Sequence, residues 1–162
     1  MPLTPLHLAV GLPVRQKISL KAFILVNILI DLEPGLVMLF GMDGLGYSLH
    51  QGVHTFGGAT LAACVTMTML FTKIKPVLMA RLYGAFWGAY SHILLDALVH
   101  HDVTPFGPFM AGNPLFLDVY HAVSITCAAI LAYYLARWVG LLRIDEVVGT
   151  SMKRIRGKFF SR

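Results

Sequence analysis

The sequence predicts an all-α protein: an integral membrane bundle of four transmembrane helices, preceded by a short N-terminal helix that is re-entrant or interfacial. Composition is the first reason. The chain of 162 residues is 57% hydrophobic and only 13% charged, about half the charged share of a soluble domain. Its mean hydropathy is +0.71. Too few polar side chains remain to cover the surface of a soluble domain of this length.

Four apolar stretches are the second reason. Each approaches the roughly 20 helical residues that a hydrocarbon layer of about 30 Å requires. Backbone groups inside lipid must be satisfied within their own segment, so the stretches are expected to be helices. The predicted spans are Leu20–Phe40, Thr55–Thr72, Val77–Val99 and Leu115–Arg137.

The placement of basic residues predicts the orientation. Three lie before or at the start of the first span, three surround the turn between the second and third spans, and the remaining seven of the 13 begin at Arg137. The loops 41–54 and 100–114 contain no Lys or Arg, so these loops are expected outside and both termini in the cytoplasm. Residues 1–136 then form the bundle, and residues 137–162 form a basic interfacial tail. Basic residues scattered at span borders favour a lipid bilayer over nucleic acid as partner, and an oligomer is compatible with the pattern.

Histidine and aspartate residues recur at a four-residue spacing in two of the predicted spans. This spacing puts His92 and Asp96 on one helix face, and likewise His50 and His54. Small residues continue both stripes, which lets two helices approach closely. The stripes are Ala80, Gly84, Gly88, His92 and Asp96 in the third span, and His50, His54, Gly58 and Ala62 in the second.

If the two stripes face each other, three imidazoles and one carboxylate come together. This is a ligand set for a divalent metal, with zinc as the first expectation and manganese or iron as alternatives. The competing interpretation is a hydrogen-bonded polar seam without metal.

Further ionisable residues lie near the start of the chain. Asp31 and Glu33 precede Pro34-Gly35, where a helix is expected to break because proline lacks an amide donor. A broken helix with two carboxylates is expected to face a cavity rather than lipid, unless the two carboxylates are helix-end caps. His7 follows a Thr4-Pro5 helix start, and either reaches the cluster or lies exposed on the inner face.

The order of these motifs resembles the YbcI/YdjM-like inner-membrane proteins, which are described as membrane-bound metal-dependent hydrolases. The resemblance covers about residues 1–110. Its marks are Thr4-Pro5-x-His7, Asp31-Leu32-Glu33-Pro34, His50 through His54-Thr55, Ser91-His92-x-x-x-Asp96 and Thr104-Pro105-Phe106-Gly107. By this resemblance, the candidate metal ligands are His7, Asp31, His50, His54, His92 and Asp96.

The leading functional hypothesis is a metal-dependent hydrolase of the bacterial inner membrane, with its site near the outer face. Its substrate is expected to be a lipid or another phosphoester. Glu33 is the predicted catalytic residue, as a general base for a metal-bound water. Three alternatives stay open: a haem-binding electron carrier, an ion or metal transporter, and a non-catalytic structural membrane protein.

Overall fold

The computed structural model describes residues 4–32, 35–36 and 52–140. Across these ranges the chain is helical and forms no strand, which confirms the all-α class for this part of the protein. A short 3-10 helix, Leu8–Val10, continues the first α-helix. The α-helices are α1 (Thr4–His7), α2 (Leu20–Ile30), α3 (Phe56–Met69), α4 (Lys75–Val99) and α5 (Tyr120–Trp138).

The predicted four-span membrane bundle is wrong. Within the described ranges, no helix combines the length and the apolar character that crossing a bilayer requires. α2 has 11 residues and α3 has 14, which gives lengths of only about 16 Å and 21 Å. α4 is longer, but Arg81, His92 and Asp96 interrupt its apolar sequence. The predicted multi-pass placement in the bacterial inner membrane, with both termini cytoplasmic, is overturned by the same finding.

Local capping groups define where the central helices begin and end. The Ser19 hydroxyl accepts a hydrogen bond from the backbone N–H of Ala22 at the start of α2. The Thr55 hydroxyl does the same for Gly58 at the start of α3, which fixes the turn that carries His54. At the C-terminal end of α4, the Asn113 amide donates a hydrogen bond of 2.6 Å to the carbonyl of Ala97. These caps satisfy backbone groups that a helix end leaves without intrahelical partners.

The core lies where α2, α3 and α4 meet. Small side chains dominate it, and they allow the helix backbones to approach closely. The buried members are Ala22, Val26 and Ile30 of α2, Ala59 and Ala63 of α3, and Ala85, Ala89 and Ile93 of α4. A core of this kind brings the polar groups of neighbouring helices within contact distance.

The glycine stripe of α4 packs against α2, and not against the small-residue stripe of α3, as the hypothesis of two facing stripes would require. A Cβ on Gly84 would lie 2.4 Å from the backbone oxygen of Ser19, and a Cβ on Gly88 would lie 2.6 Å from Cγ1 of Val26. A Cβ on Gly58 would instead meet the turn before its own helix, 2.3 Å from the Gly52 oxygen. The two small-residue stripes therefore do not face each other. His54 reaches α4 because it lies in the turn before α3.

Candidate metal centre

Five of the six predicted metal ligands converge in the described structure. His7 is the last residue of α1, Asp31 follows the last residue of α2, and His54 lies just before the cap of α3. His92 and Asp96 share one face of α4, as their spacing predicts. Four separate segments of the chain thus contribute to one cluster, called the His/Asp cluster below.

The His/Asp cluster is buried. His92 is 0% exposed, His7 and His54 are each 3% exposed, and Asp96 is 4% exposed. The Asp31 side chain, at 20% exposure, is the most accessible of the five. Ionisable groups at such depth are costly unless they pair with one another or bind a metal ion.

Asp31, His54 and His92 form the first group of ligand atoms. His92 Nε2 lies 3.2 Å from Asp31 Oδ1, and His54 Nε2 lies 3.7 Å from the same oxygen. All three atoms lie within 4.8 Å of one another. A tetrahedral ion with bonds of about 2.0–2.1 Å separates neighbouring ligand atoms by about 3.3 Å. Small side-chain shifts would therefore suffice for two imidazoles and one carboxylate to hold a divalent ion.

His7, His92 and Asp96 form a second group within the same 4.8 Å limit. His7 Nε2 lies 3.3 Å from Asp96 Oδ1. The other carboxylate oxygen, Oδ2, lies 3.3 Å from His92 Nε2 and 3.5 Å from His54 Nε2. Each oxygen of Asp96 therefore faces different histidines.

A buried amide orients His92. The Asn27 Nδ2 donates a hydrogen bond of 2.7 Å to the carbonyl of Phe23, and only the NH2 end of an amide can donate to a carbonyl. Asn27 Oδ1 must then face His92 Nδ1, at 2.9 Å, and it accepts the proton of that nitrogen. The neutral imidazole consequently presents an unprotonated Nε2 to Asp31 and Asp96. Metal-ligating histidines are commonly fixed by such a partner on their second nitrogen.

The carboxylates control the charge of His92 in the metal-free cluster. Burial by itself would lower the pKa of His92, but the adjacent carboxylates of Asp31 and Asp96 raise it to about 9. For Asp96, burial opposes ionisation, and the neighbouring His7 and His92 nevertheless hold the pKa of its carboxyl well below the usual range. Asp31 and Asp96 therefore favour the protonated form of His92 when no metal is bound.

Three buried atoms of the cluster lack hydrogen bonds within the described ranges: His7 Nδ1, His92 Nε2 and Asp96 Oδ1. The last two each lie close to an opposite group. Buried polar atoms are rarely left in this state, and an ion is one explanation for such an exception. Together with the donor set, these atoms show that the His/Asp cluster could hold a metal ion.

Two predicted site residues, His50 and Glu33, lie outside the described residues. Their roles as metal ligand and general base stay predictions. Sequence reasoning also missed the role of Asn27, the residue that orients His92. A signal was available, because Asn27 and Asp31 are four residues apart and repeat the spacing of His92 and Asp96.

No family model, curated protein or solved structure matches this chain. The resemblance to the YbcI/YdjM-like proteins therefore stays a prediction, based on the order of the motifs.

Proposed function

We propose that this protein is a metal-dependent hydrolase that uses a divalent ion, zinc in the first instance, held by Asp31, His54 and His92. The observation that carries the proposal is the buried first group of ligand atoms, in which Asn27 holds His92 with Nε2 directed at the carboxylates. Two imidazoles and one carboxylate, with further positions left for water and substrate, are the ligands of catalytic rather than structural zinc sites.

A bound divalent ion would supply a Lewis acid and would lower the pKa of water to about 7. The side chains determine what can happen around it. Asp31 is the one member of the first group that is partly exposed, so substrate is expected to approach from its side. The buried histidines exclude bulk water from the opposite side. An ester or phosphoester is the proposed substrate class, and a lipid phosphoester remains the sequence-based candidate.

The proposed reaction is hydrolysis. Water adds its oxygen to the carbonyl carbon or phosphorus, and one proton of the water passes to a carboxylate. The bond to the leaving oxygen then breaks, and that oxygen takes up a proton. We assign the proton acceptor to Glu33, which the sequence places two residues beyond Asp31.

The haem alternative gains no support from this geometry. Oxygens of Asp31 and Asp96 lie only 3.2 Å and 3.3 Å from His92 Nε2, where the porphyrin plane would have to be. No specific observation favours the transporter or the structural alternative either. A polar seam without metal is the remaining competitor, and it differs from the proposal in metal content.

Metal analysis of the purified full-length protein tests the proposal. Wild type is expected to retain zinc, manganese or iron, and a His54→Ala/His92→Ala double variant is expected to lose it. His121→Ala is the matched control, because this histidine is exposed and lies outside the cluster. If wild type binds no metal after reconstitution with each ion, while circular dichroism shows that all variants are folded, the cluster is a polar seam without metal.

Activity is tested separately, on panels of carboxylic esters and phosphoesters with the reconstituted protein. Glu33→Gln is expected to keep the metal and lose turnover, since the amide cannot accept the proton of water. Metal binding without turnover on any of these substrates would contradict the hydrolase assignment but not the metal site.

A further inference from the structure

The ligand atoms of the His/Asp cluster fall into two groups. Asp31 and His54 belong to one group, His7 and Asp96 to the other, and His92 to both. Two ligands of one ion can be separated by at most about 4.2 Å, twice a bond length of about 2.1 Å. The five residues do not form a single group of ligand atoms within 4.8 Å of one another, so one ion cannot contact all five of them.

His92 can serve only one of these positions. Its Nδ1 is bonded to Asn27 Oδ1 at 2.9 Å, which leaves Nε2 as its one available donor atom. The Nε2 atom lies 3.2 Å from Asp31 Oδ1, so His92 belongs to the first position, with Asp31 and His54. The second position then depends on His7 and Asp96.

Asp96 faces both positions at once. Its Oδ2 lies 3.3 Å from His92 Nε2 and 3.5 Å from His54 Nε2, beside the first position. Its Oδ1 lies 3.3 Å from His7 Nε2 and is buried without a hydrogen bond in the described part of the chain. A carboxylate whose two oxygens face separate ions is a bridging ligand, and two-metal hydrolases hold their ions about 3.5–4 Å apart.

We propose that a second divalent ion binds between His7 Nε2 and Asp96 Oδ1, with Asp96 bridging it to the first ion. This inference depends on the proposed metal site at Asp31, His54 and His92. His7 is the specific ligand of the second position, because it comes from α1, while the first position is formed by α2, α4 and the turn before α3. Removal of the second ion would therefore leave the first group of ligands intact.

Metal stoichiometry of the full-length protein tests this inference. Chelated protein is titrated with Mn²⁺ and with Zn²⁺, and bound metal is counted by mass spectrometry after desalting. Wild type and His121→Ala are expected to bind about two equivalents, and His7→Ala about one. His7→Gln is the second variant, since it retains volume and polarity where alanine could prevent folding.

Electron paramagnetic resonance of the Mn²⁺-loaded protein provides an independent measurement. Wild type is expected to show an exchange-coupled signal from two neighbouring ions, and either His7 variant to show the signal of an isolated ion. One equivalent in wild type and in the His7 variants alike, without exchange coupling, would overturn the second position while leaving the proposed function standing. A folded wild type that binds no metal would overturn both.

Discussion

Asn27 illustrates how one buried residue determines the chemistry of another. It is 0% exposed, and its amide is fixed at both ends, by the Phe23 carbonyl and by His92. This arrangement selects the imidazole nitrogen that faces the carboxylates. Asn27 bonds the Nδ1 of His92 and not the Nε2 that faces the carboxylates, so its contribution is to orient His92.

Replacement of Asn27 by leucine is expected to weaken metal binding by about 10–100-fold, the usual effect of losing such an orienting partner. Leucine leaves the Nδ1 proton of His92 without an acceptor, and it also costs about 1–3 kcal/mol of folding stability. Asn27→Asp keeps an acceptor oxygen and is expected to retain most of the affinity. Competition titrations with a chromophoric chelator measure the affinities. Equal affinity in wild type and Asn27→Leu would refute the orienting role.

The pKa of His92 predicts how stability depends on pH in the metal-free protein. Asp31 and Asp96 raise this pKa from 6.5 to about 9, despite burial, so the native state binds the proton more tightly than the unfolded chain. The stabilisation is fully present below pH 6.5 and is lost as the pH rises towards 9. Urea denaturation in the presence of chelator is expected to show a lower free energy of unfolding at pH 9.5 than at pH 6.

The lowered pKa of Asp96 has the opposite sign. Its stabilisation is present above about pH 4, the ordinary value for aspartate, and is lost at lower pH.

Metal binding is expected to strengthen as the pH rises from 6 to 9, since the ion must displace the His92 proton. A His92→Gln variant whose stability changes between pH 6 and pH 9.5 as much as that of wild type would contradict the assignment to His92.

At the scale of the elements, the contact between α2 and α4 positions Asn27 against His92. Gly84 and Gly88 leave the space for this contact, because a Cβ at either position would overlap α2. The overlap at Gly84 is with the Ser19 backbone oxygen, which cannot rotate away. The overlap at Gly88 includes Asn27 Nδ2, at 3.0 Å, and therefore reaches the metal centre.

Alanine substitutions in these helices are expected to differ according to their surroundings. Gly84→Ala and Gly88→Ala should each lower stability by about 1–3 kcal/mol through overpacking, although alanine favours the helix by up to about 1 kcal/mol. Gly88→Ala should also weaken metal binding, because it displaces Asn27. Gly57→Ala in α3 is the control, since among the described residues its Cβ would come near only Thr55 Oγ1, at an ordinary contact distance of 3.6 Å. Thermal unfolding and metal titration of all three variants check this, and a stabilised Gly84→Ala would show that the helices can separate without cost.

At the scale of the whole molecule, the His/Asp cluster connects segments that are distant in the sequence. Its described ligands extend from residue 7 to residue 96, and only His92 and Asp96 come from the same helix. An ion bound there holds α1, α2, α4 and the turn before α3 in their native arrangement. Ligands that bind the native state alone raise the free energy of unfolding by mass action.

Saturating metal is therefore expected to stabilise the protein by about 2.7 kcal/mol at a free ion concentration 100 times the Kd. The measurement is urea denaturation with and without Zn²⁺, at constant ionic strength. His54→Ala should reduce the increment, and His121→Ala should preserve it. An equal increment in His54→Ala would place the stabilising ion elsewhere in the chain.

The sequence by itself determined the features that depend on local spacing. The helical class and the shared face of His92 and Asp96 follow from helical periodicity. The full set of six candidate ligands came instead from the family resemblance, and five of them lie in the His/Asp cluster. Hydropathy led to the wrong prediction of membrane spans, because it counts apolar residues regardless of where helices end or which way side chains face.

Only the tertiary structure decided which helix meets which. The glycine stripe of α4 packs on α2 rather than α3, so Asn27 becomes the partner of His92, and the turn before α3 delivers His54. The tertiary structure also places His7 beside one carboxylate oxygen of Asp96, and His54 and His92 beside the other. The physical reason is that helical periodicity specifies a face within one helix. The contact between two faces depends on how closely their backbones can approach, which small side chains permit in several combinations.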